Sequence, residues 1–502
     1  MGESALSEVA GIVGAVGAAL VLLAGRRVTL LAGFAALAVA EALLADAGGI
    51  SPALAAVGLA GLGGLAAIAA IFVRYPTIVV PALLLTAPFR LPFDFDRDNR
   101  FLFALAHGGK LGRLVPLYVV LAGAAIAYAW RVARGASVPP VTRLIALPAA
   151  AFFALASSSL LWSRDLDSGA NLLAFFLLPF AVLVGVVARA ELAPWLPRAL
   201  AWISIGLASL FAAVGLWQEL TEDLFFYSPQ LEVANAYSPF FRVTSLFTDP
   251  SLYGRHVVLG FAVLLVLLWT DRINLYLGTA IGALLFAGLY FSYSQTSMAS
   301  LFAVAFIVTL VAGDRMARRA VAAATAFLVL VAAVVLLVGA KGHSISDVTS
   351  GRWTRVERTA DVVREAPLLG VGLGAQPEAS QDLTEQNGAR TARFVSHTTP
   401  LTVAAELGVV GLAVYVLLLA ATLRMILLLR RRDLTLALAL GAALLALFVH
   451  ALAYSGFFED PITWLVLGIG AAYLAAPTPA REPARETTTA NPTPAGHPVP
   501  AK

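Results

Sequence analysis

The chain has 502 residues, of which 60% are hydrophobic and 13% charged, with a formal net charge of +4 and no cysteine. Soluble domains carry roughly a quarter charged residues, so this apolar excess exceeds what a soluble core can hide, and the chain reads as a polytopic membrane protein. The small positive charge sits mostly in short arginine-bearing loops, which points to topology and not to nucleic acid, and the lack of cysteine excludes disulfides, thiolate metal sites and cysteine nucleophiles.

The first apolar run, 9–24, has no basic residue before it and Arg26-Arg27 after it. A cleaved signal peptide has the reverse charge order, so the run is expected to be a first spanning helix with its amino end outside. Further runs follow at 28–45, 53–73, 78–89, 115–130, 144–162, 172–187 and 199–217. The second half adds 253–269, 275–293, 299–312, 320–338, 401–423, 434–457 and 462–476. By the length criterion the fold is all-α, with about fifteen transmembrane helices. The run 78–89 is the shortest and holds Pro81 and Pro88.

Arginine placement sets the orientation. Arg131, Arg134 and Arg143, then Arg189 and Arg198, Arg272, Arg315, Arg318 and Arg319, and finally Arg430 to Arg432 fall in alternate loops. The positive-inside rule makes that side cytoplasmic. The outer side then receives 163–170, 218–250, 292–297, 341–400 and 458–461. The loop 90–113 dissents, being basic yet outside and only partly offset by Asp94, Asp96 and Asp98. Either it is an exception or the run 78–89 does not cross. The tail 477–502 is rich in Pro, Thr and Ala and is expected to be a disordered cytoplasmic extension. The chain thus divides into amino-terminal helices and an outer loop (1–240), a helical core (241–340), a polar outer loop (341–400), final helices (401–476) and the tail (477–502).

The polar loop is where chemistry is expected. Helical spacing over 351–365 puts Trp353, Val356, Ala360 and Val363 on one face, with Ser350 as N-cap and Pro367 as stop. Arg352 lies at the edge of that face, while Arg355 and Arg358 point away from it and suit lipid headgroups. The glycines of 370–374 lack the spacing of a phosphate loop and read as a tight turn back to the membrane. His397 precedes the run 401–423. An imidazole titrates near neutral pH and can take a proton from a sugar hydroxyl, although a loop histidine is by itself more often structural. His343, His256 and His450 show no zinc-like spacing.

Other charges gather on the same side. Arg255 and His256 lie just inside one helix, Glu406 about two turns into another, and Gln218 and Glu219 end a third. Charges inside membrane helices are costly and face the protein interior or a wet cavity. Arginine is the side chain best matched to phosphate or pyrophosphate.

Several segments in order resemble the O-antigen ligase and polymerase superfamily of bacterial envelopes. They are Arg242 with Phe247-Thr248-Asp249-Pro250-Ser251, Ser292-Tyr293-Ser294-Gln295-Thr296, Ser350-Gly351-Arg352-Trp353 and Pro367-Leu368-Leu369-Gly370-Val371-Gly372. The series closes with His397 leading to Ala405-Glu406-Leu407-Gly408 and Gly411-Leu412. The resemblance covers about the second half of the chain. It implies a metal-independent, cofactor-free, multi-pass glycosyltransferase of the bacterial cytoplasmic membrane, working on the extracytoplasmic side. The implied donor is a glycan on undecaprenyl pyrophosphate, and the acceptor a glycan or lipid. On that resemblance Arg242 and Arg352 bind the pyrophosphate and His397 activates or orients the acceptor hydroxyl. Glu406 holds local geometry, with Asp249 and Gln295 supporting. The family often has Arg where this chain has Gln295, so either another cation such as Arg255 takes its place or the activity is altered.

Ligase and polymerase share the donor site and differ in the acceptor. A flippase or transporter would need charge along a path through the membrane midplane and paired broken helices, whereas the charge here gathers at one face. A non-catalytic envelope scaffold is the further alternative, favoured by Gln295.

Overall fold

The computed structural model describes residues 3–47, 52–89, 114–226, 229–339, 352–386, 395–396, 398–454, 456 and 458–477. A bilayer core offers no water to backbone polar groups, so a chain of this composition must pair them within helices. The described residues are all helix and connection, with no strand. The polar segments 90–113 and 340–351, position 397 and the tail from 478 lie outside the described residues.

All the apolar runs are helical, but not all cross alone. Among the described residues, ten helices have the length and hydropathy of a span, or eleven if one bent pair counts as a span. Leu275–Tyr290 and Pro461–Ala475 have 16 and 15 residues, about 22–24 Å, which falls short of a roughly 30 Å hydrocarbon core. Arg315–Gly339 is a further helix of 25 residues. The run 78–89 departs most from expectation. A 3-10 turn, Pro76–Ile78, leads into the eight-residue helix Val79–Thr86, and this piece is bent by 111° from Gly61–Arg74. Pro76 has no N–H with which to continue the preceding helix, and eight residues rise only about 12 Å. Of the roughly fifteen crossings expected, ten or eleven have the length and hydropathy of a span among the described residues.

The helices meet in two polar networks at opposite ends. At the end rich in arginine, Arg189 donates to the carbonyls of Pro139, Gly185 and Ala24, each at 2.9 Å. Burial lowers its pKa to about 10, with nearby Tyr128 pulling the other way, so it stays charged at neutral pH. Arg27 donates to Gly135 and Ala136, and Arg131 pairs with Glu191. These are arginines that alternate-loop counting puts on one side.

The helical stretch Leu166–Val187 contains a π-helical turn, Leu173–Leu177. Pro179 lacks the amide that would bond the Phe175 carbonyl four residues back. The Tyr118 hydroxyl donates to that carbonyl instead. At the other end of the bundle Phe152 stacks on Phe458 at 4.2 Å, and Phe153 packs at a tilt against Trp464 at 4.5 Å. The Trp464 indole donates to Phe458 O at 2.9 Å. This aromatic cluster holds the short segment before Pro461 against the core.

Candidate functional site

The long helix Thr399–Arg430 is broken at Gly408, where φ is 65° and ψ is −166°. A break inside a membrane helix strands carbonyls and amides, and the segment 367–372 supplies their partners. The amides of Val371 and Gly372 donate to the carbonyls of Ala405 and Glu406, both at 2.9 Å. The amides of Val409 and Val410 donate to Pro367 and Leu368 at 2.8 and 3.4 Å. Gly370, Gly372 and Gly374 all have positive φ, at 70°, 95° and 77°. A Cβ at Gly372 would lie 2.2 Å from Ser163 Cα, and one at Gly408 would lie 2.2 Å from Leu368 O. Only glycine fits such positions. The far side of the turn is held by Arg164 N to Val371 O at 3.0 Å and Ser163 Oγ to Leu373 O at 3.0 Å. The glycine run is therefore a wedge between two membrane elements.

Glu406 is 9% exposed, and the backbone N–H groups of Gly374 and Gln376 lie near its carboxylate. It thus meets the amino end of the helix Gln376–Gln386, where unpaired amides favour a carboxylate. The buried Gln376 side chain accepts from Ser396 N at 2.9 Å and donates to Ser380 Oγ at 2.9 Å. Thr398 Oγ1 donates to Leu452 O at 3.2 Å. Both neighbours of position 397 are therefore tied to helices, while His397 itself lies outside the described residues.

The amphipathic helix runs Arg352–Glu365, but its inner face differs from expectation. Thr359 and Val362 are buried, whereas Trp353 is 45% exposed and donates to Glu357 at 2.6 Å. Val362 packs with Val371, Ala375, Ala379 and Ala405. The glycine wedge thus chooses the face, turned by about one residue, or roughly 100°, from the apolar stripe. Arg355 and Arg358, expected to point away, are half-buried. Arg352 is exposed on the first turn, and Glu365 at the last pairs with Arg164 at 2.9 Å.

Arg255 lies deep and is committed to protein partners. It pairs with Asp460 at 2.8 Å, their side chains 3% and 0% exposed. Its Nε donates to His450 Nδ1 at 3.3 Å, and its Nη1 to Gly456 O at 3.3 Å. With Nδ1 accepting, His450 Nε2 carries the proton and donates to Ser251 O at 3.1 Å. Asp460 also caps Pro461–Ala475 through Ile462 N at 2.9 Å. The group joins three helices through one charge.

Arg242 sits on a held turn. The Asn235 side chain accepts from Arg242 N at 3.0 Å and donates to Arg242 O at 3.2 Å. Gln218, fully buried, accepts from Thr244 N and Ser245 N at 3.0 and 2.6 Å and donates to Ser245 O at 3.0 Å. Asp249 caps Pro250–Trp269 by accepting from Ser251 N and Leu252 N at 2.7 and 3.0 Å. Burial lowers the Arg242 pKa, and Asp249 pulls it back up. Its Nε is buried without a hydrogen-bond partner among the described residues, a donor suited to an anion.

Gln295 is exposed at the first position of Gln295–Ala312. The N-cap Ser294 accepts from Ser297 N at 3.3 Å, and Ser297 Oγ donates to Ser251 O at 3.4 Å. Val243 N donates to Phe291 O at 3.2 Å. The Arg242 turn and two helix N-termini are therefore laced together, and a helix N-terminus favours an anion. Asn235 and Asp460, the partner of Arg255, escaped sequence reading. Asp460-Pro461 repeats the capping signature of Asp249-Pro250 and could have flagged Asp460.

Residues 280–416 match the family model described as O-antigen ligase. No curated protein matches the chain. The matched stretch takes in Gln295, Arg352, the glycine wedge and Glu406, and it leaves Arg242 and Arg255 on its amino-terminal side.

Proposed function

We propose that the chain, whose residues 280–416 match the O-antigen ligase family model, is a membrane glycosyltransferase of the ligase and polymerase type that moves a glycan from undecaprenyl pyrophosphate to an acceptor hydroxyl at the outer face of the bacterial cytoplasmic membrane. The carbon–oxygen bond to pyrophosphate breaks as the bond to the acceptor oxygen forms. His397 takes the acceptor proton, and the pyrophosphate leaves with the bonding electrons. Arg242 and Arg352 bind the pyrophosphate and neutralise the charge that grows on it. Arg255 acts through Asp460 and His450 as a positioning residue, and Glu406 holds the glycine wedge to the helix Gln376–Gln386.

The observation that supports this reading is the buried Nε of Arg242, without a hydrogen-bond partner among the described residues, on a turn laced to the helix N-terminus at Gln295. Arg352→Ala and His397→Ala should each abolish glycan attachment or elongation while the protein still inserts. Wild-type activity in both would overturn the site assignment. Accumulated full-length, unattached glycan marks a ligase, and accumulated single units mark a polymerase. Donor trapped at the inner leaflet would instead mark a transporter.

A further inference from the structure

At the arginine-rich end of the molecule, Arg424, Arg431, Arg432 and Thr142 surround a cavity of about 440 Å³ whose apolar side is formed by Leu428 and Leu474. That volume lies within the range of small-ligand sites. Arg432 is already engaged, since its Nη1 donates to the carbonyls of Tyr473, Leu474 and Ala476 at 3.3, 2.9 and 2.9 Å. The side chains of Arg424 and Arg431 make no hydrogen bond or ion pair among the described residues. Thr142 stands at the N-cap of Arg143–Ser158 but its hydroxyl makes no capping bond. The acid next in sequence, Asp433, is occupied in capping Leu436 N at 2.9 Å. Beyond the break at Gly408 the helix rises about 33 Å to Arg430, so Arg424 is within snorkelling reach of the headgroup level.

We propose that this cavity binds the headgroup of an anionic phospholipid. The two uncommitted guanidinium forks take the phosphate, the Thr142 hydroxyl donates to it, and Leu428 and Leu474 receive the first methylenes of the acyl chains. A zwitterionic lipid brings its own ammonium group into a ring of three arginines and is disfavoured. None of the residues lining the cavity belongs to the proposed donor site.

The test uses purified full-length protein in neutral detergent with phosphatidylglycerol, phosphatidylcholine or glycerol 3-phosphate added. Phosphatidylglycerol alone should raise the melting temperature and be retained in native mass spectrometry. Replacing both Arg424→Gln and Arg431→Gln should weaken that binding by about tenfold or more, and Arg431→Gln alone, on an exposed residue, by about threefold. Removing two charges elsewhere, with Arg315→Gln and Arg319→Gln, should leave it unchanged. Equal loss in that control would reduce the effect to general surface charge and overturn the proposal. Equal stabilisation by phosphatidylcholine would remove the charge selectivity, and equal stabilisation by glycerol 3-phosphate would make the ligand a soluble anion; either result also overturns it.

Discussion

The amide of Gly372 donates to the carbonyl of Glu406 at 2.9 Å, so a loop glycine completes the backbone of a membrane helix at the point where that helix breaks. The loop that carries Arg352 is thereby fixed to the helix that carries Glu406 by main-chain bonds, which depend little on side-chain identity. The same geometry forbids a side chain at Gly372. Gly372→Ala should lose more than about 3 kcal/mol, from positive-φ strain and a backbone collision, and melt well below wild type in detergent. Gly61, exposed in a helix with nothing within 4 Å of a built Cβ, is the control. Gly61→Ala should be neutral or stabilising by up to about 1 kcal/mol. Equal behaviour of the two variants would remove the wedge from the account.

Arg255 and Asp460 supply a second test. Asp460→Asn leaves a buried guanidinium without its counter-charge, a change that costs about 3–5 kcal/mol. Replacing the pair with Arg255→Met and Asp460→Leu removes both charges together and should recover most of the melting temperature. If Arg255 only positions its neighbours, the double variant keeps glycan transfer within about tenfold of wild type. A folded but inactive double variant would return Arg255 to the pyrophosphate ligands, the role that the missing arginine at position 295 suggests.

Gln218 makes three hydrogen bonds to the Thr244–Ser245 turn, and only Val243 separates that turn from Arg242. Gln218→Ala leaves buried backbone groups unpaired, at about 1–3 kcal/mol each. The variant should show a raised KM for the lipid-linked donor, because the turn that presents Arg242 is released. An unchanged donor KM in a destabilised protein would separate the turn from donor binding.

Much of this was legible in the sequence because it is local. Apolar runs gave the helices, and alternate arginines grouped Arg131 with Arg189 at one end. The break at Gly408 was hidden because hydropathy continues through it and a lone glycine does not end a helix pattern. The inner face of Arg352–Glu365 was misjudged because the wedge, not the apolar stripe, selects Val362. The partner of Arg255 stands 205 residues away, beyond any spacing rule. Pro76 was a signal for the bend after Arg74 that the reading of Pro81 and Pro88 passed over, and the angle depends on what the following piece packs against.

The departure at Gln295 can be turned into an assay. Gln295 is exposed at a helix N-terminus, so Gln295→Arg meets no packing obstacle, and its charge near the positive end of the helix costs only about 0.3–1 kcal/mol. That cost applies while the site is empty. With a pyrophosphate at the Arg242 turn, the added fork supplies a bidentate, charge-assisted contact, and such contacts contribute about 1.5–3 kcal/mol. Gln295→Arg should therefore lower the apparent KM for the lipid-linked donor by about fivefold or more, with a melting temperature at or slightly below wild type. Because the gain appears only with the pyrophosphate present, donor carrying a single phosphate should benefit less. An unchanged donor KM, with the protein folded, would mean that the pyrophosphate does not sit at this helix end, and the pairing of Arg242 with Gln295 would lose its functional meaning.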